Sequence, residues 1–204
     1  MALMAVVLIS ACLGAPEVYK IKFAGLDVNF RADLNNAEKV SLEPGAEAVR
    51  QIMFENPVSI VRIAFAPNDD FNGFYRVAGF ELATKTILAY KQFIFTDKSF
   101  SQQEGDVSCV IFEKSFSGGV AAQRKICFET VSLNSTEEAF AMANETAPIL
   151  LMEAGANETK VLVDRNVVRM TGKDMTESGR KYTDLDLAVD KFLLVLLNES
   201  AKRA

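Results

Sequence analysis

Apolar and polar residues alternate over much of the first two thirds of the chain. VYKIKF (18–23) and VSIVRIAF (58–65) carry apolar side chains at nearly every second position, the period of a strand with one buried face. FYRVAGFEL (74–82), TILAYKQFIF (86–95), VSCVIF (107–112), KICFETV (125–131) and KVLVDRNVVRM (160–170) are rich in β-branched and aromatic residues and extend the series. Turn-forming clusters separate them: Pro67-Asn68-Asp69-Asp70, Gly105-Asp106, Gly118-Gly119 and Gly172-Lys173. Short strands spaced in this way predict a mainly β fold, an antiparallel sandwich or barrel with a few short helices.

The helices follow a different period. Ala46 to Phe54 places Val49, Ile52 and Met53 on one stripe, and Thr136 to Ala143 opens on a capping sequence, Ser135-Thr136-Glu137-Glu138. A C-terminal helix is predicted from Asp184 to about Lys202, with Leu185, Ala188, Val189, Phe192, Leu193 and Leu196 on one face. Lys202 and Arg203 suit its negative end. No linker-like run divides residues 15–204, which read as one domain.

The opening, MALMAVVLISACLGA, is uncharged, apolar from Leu3 to Ile9, and closes on small residues. That reads as a secretory signal peptide over residues 1–14, although the usual leading Lys or Arg is missing. Ile9-Ser10-Ala11-Cys12 also resembles a lipobox, which would make Cys12 a lipid-bearing terminus. No later segment reaches the roughly 18 apolar residues needed to span a bilayer.

Cleavage would leave Cys109 and Cys127, and in an oxidising compartment two cysteines are expected to pair. A turn centred on Ser117, Gly118 and Gly119 sets them directly opposite each other across an antiparallel hairpin. Asn134, Asn144, Asn157 and Asn198 each begin an Asn-x-Ser/Thr sequon, all after that hairpin. Together these features predict a secreted, extracellular glycoprotein whose sequon asparagines face solvent.

Composition narrows the chemistry. A net charge of −5 without a basic stripe argues against a nucleic-acid partner. The absence of histidine removes Ser-His-Asp and Cys-His nucleophiles and the usual zinc sites. The adjacent acids Asp69 and Asp70, and the pair Asp184 and Asp186, read as turn and cap formers rather than as catalytic carboxyls. Asn68, Asp70 and Asn72 match the opening of a calcium loop, but Gly79 stands where the bidentate glutamate belongs. A hairpin turn between strands ending at Phe65 and starting at Phe74 accounts for the same residues.

Fifteen phenylalanines, many on predicted strands, read as a packed core or as the lining of an apolar cavity. The expected function is a non-enzymatic binding or storage-type subunit of an extracellular assembly such as egg fluid, haemolymph or a secretion. The alternatives are a carrier of an apolar small molecule, a lipid or carotenoid, in a β-barrel cavity; a protease inhibitor; and a hydrolase working through carboxylates. Association into a homo- or hetero-oligomer is expected wherever a strand edge or a large apolar face lies uncovered.

Overall fold

The computed structural model describes residues 19–65, 72–96, 98–105, 107–115, 121–177 and 180–202. The expected signal peptide, the Asp69–Asp70 pair and the Gly118-Gly119 turn lie outside the described residues. A small hairpin comes first, β1 (Tyr19–Phe23) and β2 (Leu26–Phe30), turned by Ala24 and Gly25 at φ 48° and 81°. Positive φ at both central residues matches the hairpin turn to the right-handed twist of its strands. Next come α1 (Leu34–Lys39), β3 (Ser41–Glu43), α2 (Ala46–Arg50), which runs on into a π-helical turn (Gln51–Glu55), and β4 (Ile60–Phe65). A long helix, α3 (Asn72–Ile94), leads into β5 (Lys98–Glu104), β6 (Val107–Ser115) and β7 (Ala121–Ser132). The chain ends with α4 (Thr136–Met142), β8 (Ile149–Ala156), β9 (Lys160–Asp164), β10 (Val167–Glu177), β11 (Arg180–Thr183) and α5 (Leu185–Ala201).

The nine-stranded sheet runs β3-β9-β10-β8-β4-β7-β6-β5, with β11 paired to β10. It is mixed: β3–β9, β10–β8, β8–β4 and β4–β7 are parallel, whereas the meander β5-β6-β7 and the β9–β10 hairpin are antiparallel. The chain is thus sheet-rich with a C-terminal helix, as expected. The antiparallel sandwich or barrel is not what the described residues form, because the path ends at β3 and β5 instead of closing.

The largest departure from the sequence reading is α3. The expected strands at 74–82 and 86–95 are one helix of 23 residues, so Phe74 lies inside a helix and no hairpin joins it to Phe65. Tyr75, Ala78, Leu82, Lys85, Thr86, Ala89 and Tyr90 are its buried residues, a 3.6-residue spacing hidden among the aromatic and β-branched residues that suggested strands. Tertiary burial decides between the two readings where local propensity is divided.

Packing has two unequal sides. On one face α3 and α5 cover Val61, Ile63, Leu150, Met152, Val168 and Met170. On the other, α4 closes a smaller cluster of Ala64, Leu133, Ala139, Ile149, Leu151 and Val167. Alternate residues of Ile149–Met152 serve opposite faces, so this central parallel strand is a continuous apolar run. The α4 cap forms as its sequence implies: Ser135 Oγ accepts from the Glu138 N–H at 3.3 Å, while Glu138 Oε2 accepts from the Asn134 N–H at 2.8 Å.

The Cys109–Cys127 disulfide forms across directly paired residues of β6 and β7, with Cα atoms 3.9 Å apart. A bridge over 18 residues contributes roughly 3 kcal/mol in the chain-entropy description. α5 meets the sheet at Gly172 of β10, where a Cβ would come within 2.3 Å of the Leu185 backbone nitrogen. Backbone cannot yield as a side-chain tip can. Gly172→Ala is therefore expected to lever the start of α5 off the sheet and to cost about 2 kcal/mol or more, read as a lowered midpoint in chemical denaturation.

Candidate ligand-binding trench and the charge cluster beside it

One flank of α3 stands over the sheet without sealing it. Tyr75, Gly79, Phe80 and Ala83 form a wall above a floor of Ile63 and Phe65 from β4 and Phe128 from β7. The half-open cleft is about 430 Å³, with Met152 of β8 among its lining residues. At Gly79 the helix comes close to the sheet, since a Cβ there would lie 3.6 Å from Ile63 Cγ2 and 4.0 Å from Met152 Cε. Tyr75 fixes that end of the helix: its ring stacks on Phe65 with centroids 5.3 Å apart, and its hydroxyl accepts from the Ala154 N–H at 3.0 Å. Burial pushes the Tyr75 hydroxyl above its ordinary pKa, so it is neutral at physiological pH.

Polar groups in this cleft are few: Arg76 and the side chains of Ser108 and Thr130. Phe80 lies at the rim, 70% exposed, an unusual position for a phenylalanine beside an apolar hollow. A second cleft of about 370 Å³ adjoins the first through Ala83, Ser108 and Phe128. It continues past Ile87 and Val110 to Ser101, Gln102 and Gln103 on the terminal strand β5. The two form a trench along α3 towards the sheet edge.

The opposite flank of α3 is closed, and closed with charge. Asp190 of α5 is 1% exposed, and its Oδ2 accepts from the backbone N–H groups of Ala32 at 2.8 Å and Arg31 at 3.2 Å, holding the end of β2 against α5. Lys85 of α3 lies 3.6 Å from Glu81 Oε1 and 4.2 Å from the centroid of the Phe30 ring. Arg31 reaches Asp186 at 3.7 Å. Lys85 Nζ and Asp190 Oδ1 have no hydrogen-bond partner among the described residues. Burial raises the carboxyl of Glu81 against the pull of Lys85, raises that of Asp190 against the Ala32 N–H and then Lys85, and lifts Asp186 to about 6 against the pull of Arg31.

The residues singled out from sequence are not gathered into one site. Cys109 and Cys127 meet in the disulfide. Asn134, Asn144, Asn157 and Asn198 are all exposed; Asn198 lies on α5 and the other three lie in the connections between elements. At Asn144, Oδ1 accepts from the Thr146 N–H at 3.0 Å and from the Thr146 hydroxyl at 2.8 Å. Asn68 and Asp70 of the calcium candidate fall outside the described residues, and Asn72 begins α3. Asp184 takes the N-cap position of α5, with Asp186 in its first turn. Among the described residues, the one grouping of three candidate metal ligands is Glu104 with Cys109 and Cys127, whose sulfurs are bonded to each other.

Sequence reasoning missed the trench and the charge cluster because both hang on α3. The available signal was Lys85, Asp186 and Asp190, charged residues falling on otherwise apolar helical stripes.

The pH dependence of Asp186 has a definite sign. Below about pH 4 it is protonated in the folded and unfolded chain alike; between its ordinary value of 3.8 and about 6 the folded chain keeps a proton that the unfolded chain has lost. Stability from this group is therefore fully present in acid and lost as pH rises towards 6. Asp186→Asn, which fixes the neutral form, is expected to stabilise the protein more at pH 7 than at pH 4.5, read from urea midpoints of both proteins at the two pH values.

No protein-family model matches the chain, and neither does any curated protein or solved structure at a significant level.

Proposed function

We propose that this protein is a secreted glycoprotein without enzymatic activity that carries an apolar small molecule, with the trench beside α3 as its binding site and a lipid acyl chain as its cargo. The observation that carries the reading is the trench itself. Its larger lobe, about 430 Å³, falls in the range of about 300–1,000 Å³ typical of small-molecule sites. Its lining follows their pattern of apolar walls with few polar groups. A cargo chain lying between α3 and the floor would gain about 0.8 kcal/mol for each methylene taken out of water. Phe80 at the rim can close over it, and the Arg76 guanidinium at the mouth suits an anionic head group. The cargo site is a cleft between helix and sheet rather than the barrel interior suggested by sequence.

Secretion and glycosylation rest on the uncharged apolar leader, the disulfide and the four exposed sequon asparagines. Material secreted from eukaryotic cells is expected to lose mass on treatment with an N-glycosidase and to begin at or near Ala15. An unchanged mass together with a retained Met1 would remove this half of the reading.

The cargo half is tested by extracting the native protein with organic solvent and identifying the extract by mass spectrometry, where a lipid in near-stoichiometric amount is expected. Ala83 lies at the junction of the two lobes, so Ala83→Trp is expected to weaken uptake of a fluorescent fatty acid at least tenfold while leaving the melting temperature nearly unchanged. An empty extract and no uptake of the fluorescent acid would discard the carrier.

A further inference from the structure

The two terminal strands of the large sheet are finished differently. β3 has three residues and runs straight into Pro44. β5 has seven, pairs with β6 in unbroken register from Lys98↔Glu113 to Glu104↔Val107, and contains neither proline nor bulge. Among the described residues no strand lies on its outer side. Shortness, proline and bulges are among the devices that blunt natural edges, because an open ladder is a template for another strand; β5 has none of these three and carries charge only at its two ends, Lys98 and Glu104.

The disulfide pair shows which backbone groups of β5 point outward. Cys109 and Cys127, with Cα atoms 3.9 Å apart, have the close spacing of a non-hydrogen-bonded antiparallel pair, so Cys109 turns its N–H and C=O the other way, towards Gln102 of β5. The alternate residues Ser99, Ser101 and Gln103 then turn theirs away from β6, to the open side.

We propose that β5 is the seam of a homodimer, in which β5 of a second copy adds antiparallel about a twofold axis through Ser101 and joins the two sheets into one. The strand is self-complementary in that register. Ser101 faces its own copy, Ser99 of each chain faces Gln103 of the other, and all of these residues present outward amide groups to the new ladder. Lys98 of each chain faces Glu104 of the other, opposite charges at both ends of the seam. Glu104 already holds Lys125 of its own chain at 2.5 Å, so the second lysine completes an alternating row. Phe100, 46% exposed beside Ile111 of β6, becomes the diagonal neighbour of its copy across the axis, within reach of aromatic contact. The charge pattern selects a second copy over an unrelated strand, because only self-pairing about Ser101 matches both ends at once. The seam does not depend on the cargo reading: an empty trench leaves it standing, and a monomer leaves the trench standing.

The test uses the full, disulfide-intact chain. Sedimentation at micromolar concentration is expected to give twice the monomer mass. Lys98→Glu sets glutamate against glutamate at both ends and is expected to halve that mass; adding Glu104→Lys reverses both charges and is expected to restore it. Ser101→Cys is expected to yield a covalent dimer on mild oxidation, whereas Gln103→Cys, which faces Ser99, is expected to yield little. These exposed cysteines read the register independently of the charge variants. A monomeric wild type, a dimer indifferent to Lys98→Glu, or equal cross-linking by the two cysteine variants overturns the proposal.

Discussion

Width is the constraint from which the other features follow. The eight strands that lie in line from β3 to β5 are spaced about 4.8 Å apart, so the sheet is about 34 Å across. Its helical face carries two long helices, α3 and α5, each about 10 Å wide, which together cover about 20 Å. The two helices pack against each other and over the centre of the sheet, so the uncovered width falls towards β6 and β5. The trench is the consequence of this shortfall in coverage, and it runs out to the open edge at β5.

Why the shortfall does not collapse is a matter of what holds α3 in place. On its closed flank Asp190 binds the backbone at the end of β2, and Lys85 lies against Glu81 and the Phe30 ring. Buried groups of this kind tolerate little displacement, because moving α3 towards the trench would separate charges that have no water to replace their partners. At the ends of the helix the Tyr75 hydroxyl takes the Ala154 N–H and the Tyr90 hydroxyl donates to the Met53 carbonyl oxygen. The floor is held as well, since the disulfide ties β6 to β7 beneath the shared wall of the two lobes.

Much of the fold could be read from the chain wherever one period was unopposed. The α5 stripe is buried residue for residue, because Leu185 to Leu196 shows a clean helical spacing and little β-branching. The Cys109↔Cys127 register followed from the midpoint of the loop alone. The Ser135 cap is a local event that needs no tertiary partner. α3 defeated the reading for the opposite reason: Phe80 and Val77 are exposed while Lys85 and Thr86 are buried, so its apolar residues spread around the helix and alternation could be found in it. β5 was missed because an edge strand needs no buried face, and Lys98–Glu104 has almost none. The candidate site was barely visible in the sequence, since it is bounded by these two elements.

The two unequal flanks of α3 also separate anchoring from the proposed binding role. Apolar contact with α5 and the buried ion cluster anchor one side, so the trench side is released from structural duty and can keep Phe80 in water. Exposed apolar residues that the core does not need are what an acyl chain, or another apolar surface, can cover. The trench ends at Ser101, Gln102 and Gln103, and a twofold axis through Ser101 and normal to the sheet keeps the helical faces of both copies on the same side. In the proposed dimer the second lobes of two trenches meet at the seam, and the uncovered flanks of the two sheets become one continuous floor between the two copies of α3.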